Sequence, residues 1–243
     1  KFINVPSTLL SQVDSSIGGK TGVNNKYGKN LVGSFYQPDL VISDTKLLYS
    51  LPRREVICGY AEILKHSLIY NKKLFLFLDK NLKNILKLKK KLIEKAILES
   101  CKIKKTIVEQ DENESNLRKS LNLGHTFGHA FEATLNYSNK LNHGEAVLYG
   151  IFSAAKLSKK LKTLNKTDYK LILNHISKLN YNNLNKFFTK KDLNKIVKFM
   201  TSDKKNTSKK INFITLNKIG EVNISNQLNP ANVKRFLKKE LIN

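Results

Sequence analysis

The chain has 243 residues, 40% of them hydrophobic, and a formal net charge of +25 at pH 7. That length supports one large domain or two small ones with a real core; no apolar run reaches the roughly 18 residues of a membrane span, no cleavable signal pattern opens the chain, and two cysteines, Cys58 and Cys101, exclude a disulfide framework and a Cys-x2-Cys metal pair. The excess charge is nearly all lysine spread along the chain, Arg53, Arg54, Arg118 and Arg235 being the arginines, and Asn and Ile are abundant too; A/T-rich coding alone produces that bias, so the expectation is a cytoplasmic protein without a nucleic-acid or membrane partner, whose positive field attracts a phosphorylated anion.

Residues 1–52 read as the end of an α/β unit. Phe2 to Val5 and Leu40 to Ser43 are short strands, the first closed by Pro6. Between them, Val13 to Gly22 and Gly28 to Gly33 read as glycine-rich loops whose backbone N–H groups suit an anion. Gly19-Lys20-Thr21 is not a P-loop, because the first glycine of that pattern would fall at Asp14.

From Pro52 onward the pattern is helical. Arg53 to Tyr70 forms a first helix with Ile57, Ala61, Leu64 and Leu68 on one face and Glu62, Lys65 and His66 on the other; taken alone, the charged trio reads as a solvated face. Leu82 to Gln110 reads as one long amphipathic stretch, with Ile85, Leu92, Ile93, Ala96, Ile97, Cys101, Ile107 and Val108 at helical spacing. Lys104, at i+3 from Cys101 and i−4 from Val108, points into that apolar stripe, where a lysine either snorkels or reaches a buried anion. Asp111 to Asn116 is an acidic connection.

The run Arg118 to Glu132, RKSLNLGHTFGHAFE, is the most informative. As a helix it projects His125 and His129 from one face, with Glu132 a turn further on. Gly124 and Gly128 are odd in a helix interior, where Gly costs about 0.5–1 kcal/mol relative to Ala; a closely approaching ligand or helix explains them. A His-x3-His pair alone also fits a buried structural helix. His143-Gly144-Glu145 opens a helix to Leu161, Thr167 to Leu179 and Lys191 to Met200 are further helices around a loop at Asn180–Lys191, Ile211 to Leu216 and Glu221 to Ile224 form a β-hairpin, and Pro230 opens a last helix to about Leu241.

Together, residues 5–38 (VPSTLLSQVDSSIGGKTGVNNKYGKNLVGSFYQP), Gly59-Tyr-Ala-Glu-Ile-Leu-Lys65, Asp111-Glu112, Arg118 with Leu121 to Ala130, His143-Gly-Glu-Ala146 and Asp203-Lys-Lys205 resemble the 3-dehydroquinate synthase family of sugar-phosphate cyclases over essentially the whole chain. The resemblance implies the end of a Rossmann-like α/β NAD-binding domain (1–52), then a mainly α-helical metal- and substrate-binding domain with a small β-hairpin (53–243). It implies a lyase of aromatic amino acid biosynthesis that converts 3-deoxy-D-arabino-heptulosonate 7-phosphate to 3-dehydroquinate and phosphate, with NAD and a divalent metal, zinc or cobalt, and that forms a homodimer at full length. By resemblance the metal ligands are Glu62, His125 and His143. By the same resemblance Lys20, Asn30, Lys65 and His129 surround the phosphate, Lys104 and Arg118 hold the carboxylate region, Asn122 also contacts the substrate, Asp14 sits by the nicotinamide or the substrate hydroxyls, and Ser7, Thr8, Lys20 and Lys29 contact NAD. No glycine-rich dinucleotide fingerprint is present, so the sequence is expected to be a fragment lacking about the first third of such an enzyme and inactive alone. The alternatives are another sugar-phosphate cyclase of the same fold, a related metal-dependent alcohol dehydrogenase and a basic nucleic-acid-binding protein.

Overall fold

A computed structural model describes residues 1–25, 28–202 and 210–242, with the side chains of 24–31 outside the description. Strands β1 (Ile3–Asn4) and β4 (Leu40–Val41) pair in parallel, as the α/β reading of residues 1–52 requires. The segment between them departs from that reading. Of the expected glycine-rich loops, Gly18 and Gly19 do lie in a turn, at φ 97° and 65°, but residues 20–22 and 28–33 belong to the two arms of an antiparallel hairpin, β2 (Lys20–Asn25) and β3 (Gly28–Phe35), which places Lys20 opposite Phe35 and Val23 opposite Val32. Valine, threonine and phenylalanine suit a pleated strand. Before the hairpin, Ser11–Ser15 form a wide helical turn in which the Ser16 N–H reaches back to the Ser11 carbonyl.

Helix α1 (Arg53–Tyr70) runs as the sequence indicates, but its charged face is not solvated. Glu62 and His66 are fully buried and Lys65 nearly so. A helix buried all round is a central element, and α1 packs against α2, α3 and α5 as well as the Ser11–Ser15 turn. The expected single helix over Leu82–Gln110 is two: α2 (Lys72–Leu86) and α3 (Lys90–Gln110), broken where Leu88 adopts a φ of 55°. That left-handed residue folds α3 back along α2 and α1.

The histidine run is likewise not one helix. A 3-10 turn spans Leu117–Asn122, and α4 (His125–Thr134) starts after Gly124 at φ 80°. A side chain at Gly124 would be strained and would also strike the backbone of Gly150 and Ile151. The close neighbour anticipated for the glycines is therefore helix α5 (His143–Lys160), on which α4 lies directly. Asn142 and Glu145 form a reciprocal capping box that fixes where α5 begins, and Gly144 lets that end meet Cys58 of α1, whose Sγ accepts the Gly144 N–H at 3.1 Å.

Helices α6 (Lys166–Leu179) and α7 (Leu193–Thr201), the hairpin β5 (Ile211–Lys218)–β6 (Glu221–Leu228) and α8 (Pro230–Glu240) complete the fold close to the expected bounds. The loop between α6 and α7 contains two short 3-10 turns, Leu184–Lys186 and Lys190–Asp192. One apolar core runs from Leu9 and Val13 through α1, α4 and α5 to Phe213 and Phe236. Among the described residues, no helix is long and apolar enough to cross a membrane.

Candidate metal and anion site

Three elements bring acidic and imidazole groups together inside the helical region. Glu62 comes from the middle of α1, His125 and His129 from the first turns of α4, and His143 from the first residue of α5. Potential ligand atoms of Glu62, His125 and His143 all lie within 4.8 Å of one another. The ring centroids of His125 and His143 are 5.5 Å apart, and His129 lies 5.2 Å from His125 and 5.9 Å from His143. The spacing of four residues does put His125 and His129 on one face of α4.

Glu62 carries the clearest sign that something else belongs here. Its side chain is fully buried, yet neither carboxylate oxygen has a hydrogen-bond partner. The Lys65 ammonium, one turn on, forms an ion pair with Oε2 that is not aligned as a hydrogen bond, and His125 Nε2, 3.8 Å from Oε1, is too far for one. A buried carboxylate left so is costly. One carboxylate and two imidazoles are a donor set that a tetrahedral or five-coordinate divalent ion accepts while keeping a position open. The residues therefore fit a metal.

Beside this cluster a cavity of about 540 Å³ is lined by Asp14, Lys20, Lys104 and Arg118, with Thr21, Gly33 and Phe35 of the hairpin. Asp14 joins the two halves, since its carboxylate lies within 4.8 Å of ligand atoms of Glu62 and His66. Lys104 reaches an anion, as its place on the apolar stripe allows, and that anion is Asp14. Its Nζ donates to Oδ1 at 2.7 Å and also to the Asp14 carbonyl. Burial raises the Asp14 pKa, but Lys104, then Lys65 and His66, more than offset it and hold the carboxyl well below the usual carboxylate range. Behind them His66 Nδ1 meets Ser100 Oγ at 2.7 Å, and burial and Lys65 push its pKa well down.

Arg118 also lines the cavity and is 2% exposed. Its Nη2 donates to the Gly18 carbonyl at 2.7 Å and its Nη1 to the Glu112 carbonyl at 2.5 Å, while Nε has no hydrogen-bond partner. The fork thus already braces two loops. Asp111 sets this corner by accepting the N–H groups of Ser115, Asn116 and Arg118 at 2.9, 2.7 and 2.9 Å, which against the cost of desolvation hold its carboxyl below the usual range.

Glu114 joins the site without any motif to mark it. It forms an ion pair with Lys20 and accepts the Asn122 side-chain amide at 2.7 Å, tying the hairpin to the turn before α4. Its only signal was an acidic residue in a stretch read as a connection. Asp14, Lys20, Lys104 and Arg118 thus share the cavity, and Glu62, His125 and His143 form a candidate metal cluster with the His129 ring beside it. Lys65 stands between them, and Asn122 reaches the site through Glu114. Ser7 is exposed and Thr8 is engaged with Ser11, its Oγ1 2.9 Å from Ser11 Oγ; neither lines the cavity. The side chains of Lys29 and Asn30, and Asp203 to Lys205, lie outside the described residues.

Two family models match the chain, "3-dehydroquinate synthase N-terminal" over residues 1–58 and "3-dehydroquinate synthase C-terminal" over residues 59–206. The 3-dehydroquinate synthase of Pelagibacter ubique is 61% identical over 242 residues, which cover 99% of this chain and 66% of that protein. That of Alkaliphilus metalliredigens is 46% identical over 214 residues, covering 88% of this chain and 59% of that protein. The chain thus spans about two thirds or less of the length of these relatives. Among solved structures, a 2-deoxy-scyllo-inosose synthase complexed with carbaglucose-6-phosphate, NAD+ and Co2+ superposes with a TM-score of 0.86 at 26% identity, over 98% of this chain and 67% of that one. A 2-epi-5-epi-valiolone synthase from Streptomyces hygroscopicus, with NAD+ and Zn2+ bound, shares the fold at 22% identity with a TM-score of 0.86, over 97% and 65%.

Proposed function

This chain belongs to the 3-dehydroquinate synthase family, and from that premise we propose that it carries the metal- and substrate-binding part of the conversion of 3-deoxy-D-arabino-heptulosonate 7-phosphate to 3-dehydroquinate and phosphate. The observation that carries the reading is Glu62, a buried carboxylate with both oxygens lacking hydrogen bonds beside His125 and His143. Those three residues would hold the divalent ion. Such an ion would supply Lewis acidity at the substrate hydroxyl, and NAD, present in the solved structures of similar fold, would supply a hydride acceptor.

The chain's own groups then bind and orient a substrate with two anionic ends. Lys20 at the cavity mouth and His129 beside the metal cluster would receive the phosphate. Lys104 and Arg118, which line the same cavity, would face the carboxylate end, where an arginine fork offers directional donors. The Arg118 Nε without a partner and the Lys104 ammonium against Asp14 are cations held in place before substrate arrives, which is how fixed charge is most effective. Asp14 lies where it can contact both a substrate hydroxyl and the metal side of the site. Lys65 balances Glu62 and would add positive charge behind the phosphate. Of the described candidates for nucleotide contact, Lys20 lines the cavity.

Zinc stoichiometry tests the assignment. His125→Ala is expected to abolish stoichiometric binding by the 243-residue chain, while His129→Ala keeps it. Loss of zinc in both variants, or in neither, would reject the ligand set. A ring-forming cyclase acting on a different phosphorylated sugar is the second reading, favoured by the solved inosose synthase. Carboxylate-free sugar phosphates competing as well as the heptulosonate for the metal-loaded site would support it.

A further inference from the structure

Glu132 is buried, 4% exposed, yet no part of the function above uses it. It lies on α4 one turn beyond His129 and two beyond His125, so it continues the face that carries both imidazoles. The contact of α4 with α5, which Gly124 and Gly128 allow to be close, carries its carboxylate to the first residue of α5. There Glu132 Oε2 is 3.1 Å from His143 Nδ1.

An imidazole has two nitrogens, and a hydrogen bond at one decides which is offered at the other. With Nδ1–H donated to a buried carboxylate, the ring keeps its proton on Nδ1 and presents Nε2 as the lone-pair donor. The ring is also held against rotation about its side-chain bonds. His143 needs such support more than its partners do. It comes from the first turn of a helix and is the most open of the three groups, its side chain 32% exposed against 13% for His125 and 0% for Glu62.

We infer that Glu132 is the positioning residue of the metal site: it fixes the Nδ1–H tautomer and the orientation of His143, so that Nε2 completes the set with Glu62 and His125. The inference rests on the metal reading given above. The same atoms allow a rival arrangement, because His129, Glu132 and His143 also offer ligand atoms within 4.8 Å of one another. His143 is shared, so the two arrangements give Glu132 opposite roles. In the first it contacts a ligand, and in the second it is one.

The experiment compares zinc affinity, measured by chelator competition, in the 243-residue chain and its Glu132→Gln, Glu62→Gln and His125→Ala variants. Glutamine keeps the size and an acceptor but removes the charge. The expected result is one zinc bound by Glu132→Gln with its Kd raised about 10- to 100-fold, the usual cost of losing a partner of a ligating histidine. The Co2+ form should show a visible spectrum shifted from wild type, and the metal-free variant should unfold at the wild-type urea midpoint. Glu132→Asp should recover part of the affinity. An unchanged Kd in Glu132→Gln, with His125→Ala unable to bind, overturns the positioning role. Loss of stoichiometric zinc in Glu132→Gln, matched by retention in Glu62→Gln, overturns it in favour of the rival ligand set. Retention of wild-type zinc affinity by His125→Ala and Glu62→Gln together would instead remove the metal reading itself.

Discussion

In residues 1–52 the side chains of Ile3, Val5, Val23, Val32, Leu40 and Ile42 face outward, each about half exposed or more, while among the described residues of 53–242 the ionisable groups Glu62, Lys65, His66 and Lys104 are inside the core. The first region takes its order from short strand pairs and from Leu9, Val13 and Leu48 pressed onto the helices. The second encloses its polar groups with helices packed on every side. Burying a charge costs free energy unless it is paired or ligated, so the helical region tolerates a local cost to hold donors at fixed positions. The contrast teaches where rigidity resides. The proposed metal cluster is built wholly from α1, α4 and α5, whereas the neighbouring cavity is lined in part by the hairpin and is shaped by both regions.

The largest effect is expected where packing encloses the metal cluster. Phe131 is fully buried on α4 between His129 and Glu132, with its ring 5.2 Å from that of Phe188. Phe131→Ala should cost about 3–5 kcal/mol, the range for deleting a buried aromatic ring, read from urea unfolding of the metal-free chain. A loss below about 1 kcal/mol, a surface-like value, would mean that the helical region is not the close-packed support described here.

An intermediate effect is expected at the seam. Lys104 on α3 and Asp14 in the first region are joined through both the carboxylate and the carbonyl of Asp14. Lys104→Met leaves Asp14 without its main cation. Since the Asp14 side chain is 31% exposed, solvent tempers the usual cost of breaking a buried pair, leaving ~1–2 kcal/mol. Asp14→Asn should cost a similar amount, and the double variant less than the two single losses summed, because neither partner is then stranded. Strict additivity in that cycle would show the regions to be uncoupled at this point.

How much of this was legible in the sequence follows the same division. Helix α1, the capped start of α5 and the last helix at Pro230 carry local signals, and the chain obeys them. The direction of Lys104 could be read from its spacing to Cys101 and Val108, but not its partner, ninety residues away in sequence. The burial of Glu62, Lys65 and His66 was not legible, because a helical face with three charged groups looks solvated until α3, α4 and the Ser11–Ser15 turn are known to cover it. The break at Leu88 escaped because a non-glycine residue takes the left-handed conformation there, without a breaker to announce it. The hairpin from Lys20 to Phe35 escaped because its glycines resemble loop punctuation. His125 and His143 became a pair with Glu62 through family resemblance, since residues on three helices share no local pattern.

The smallest effect is expected on that hairpin, and it tests the other half of the comparison. Val23 is 62% exposed and stands opposite Val32, itself 59% exposed. Replacing Val23 with Ser removes one cross-strand apolar contact and some strand preference but no core volume, so the loss should be ~0.5 kcal/mol or less. The same substitution at a buried valine such as Val147 of α5, 0% exposed, should cost several times more, because it deletes core contacts and buries a hydroxyl. The comparison breaks if Val23→Ser costs as much as Val147→Ser, since an exposed side chain has no core contacts to lose. A loss at Val23 that grows with protein concentration would locate the missing contacts on a second copy of the chain, and the outward apolar face of residues 1–52 would then be a buried one in solution.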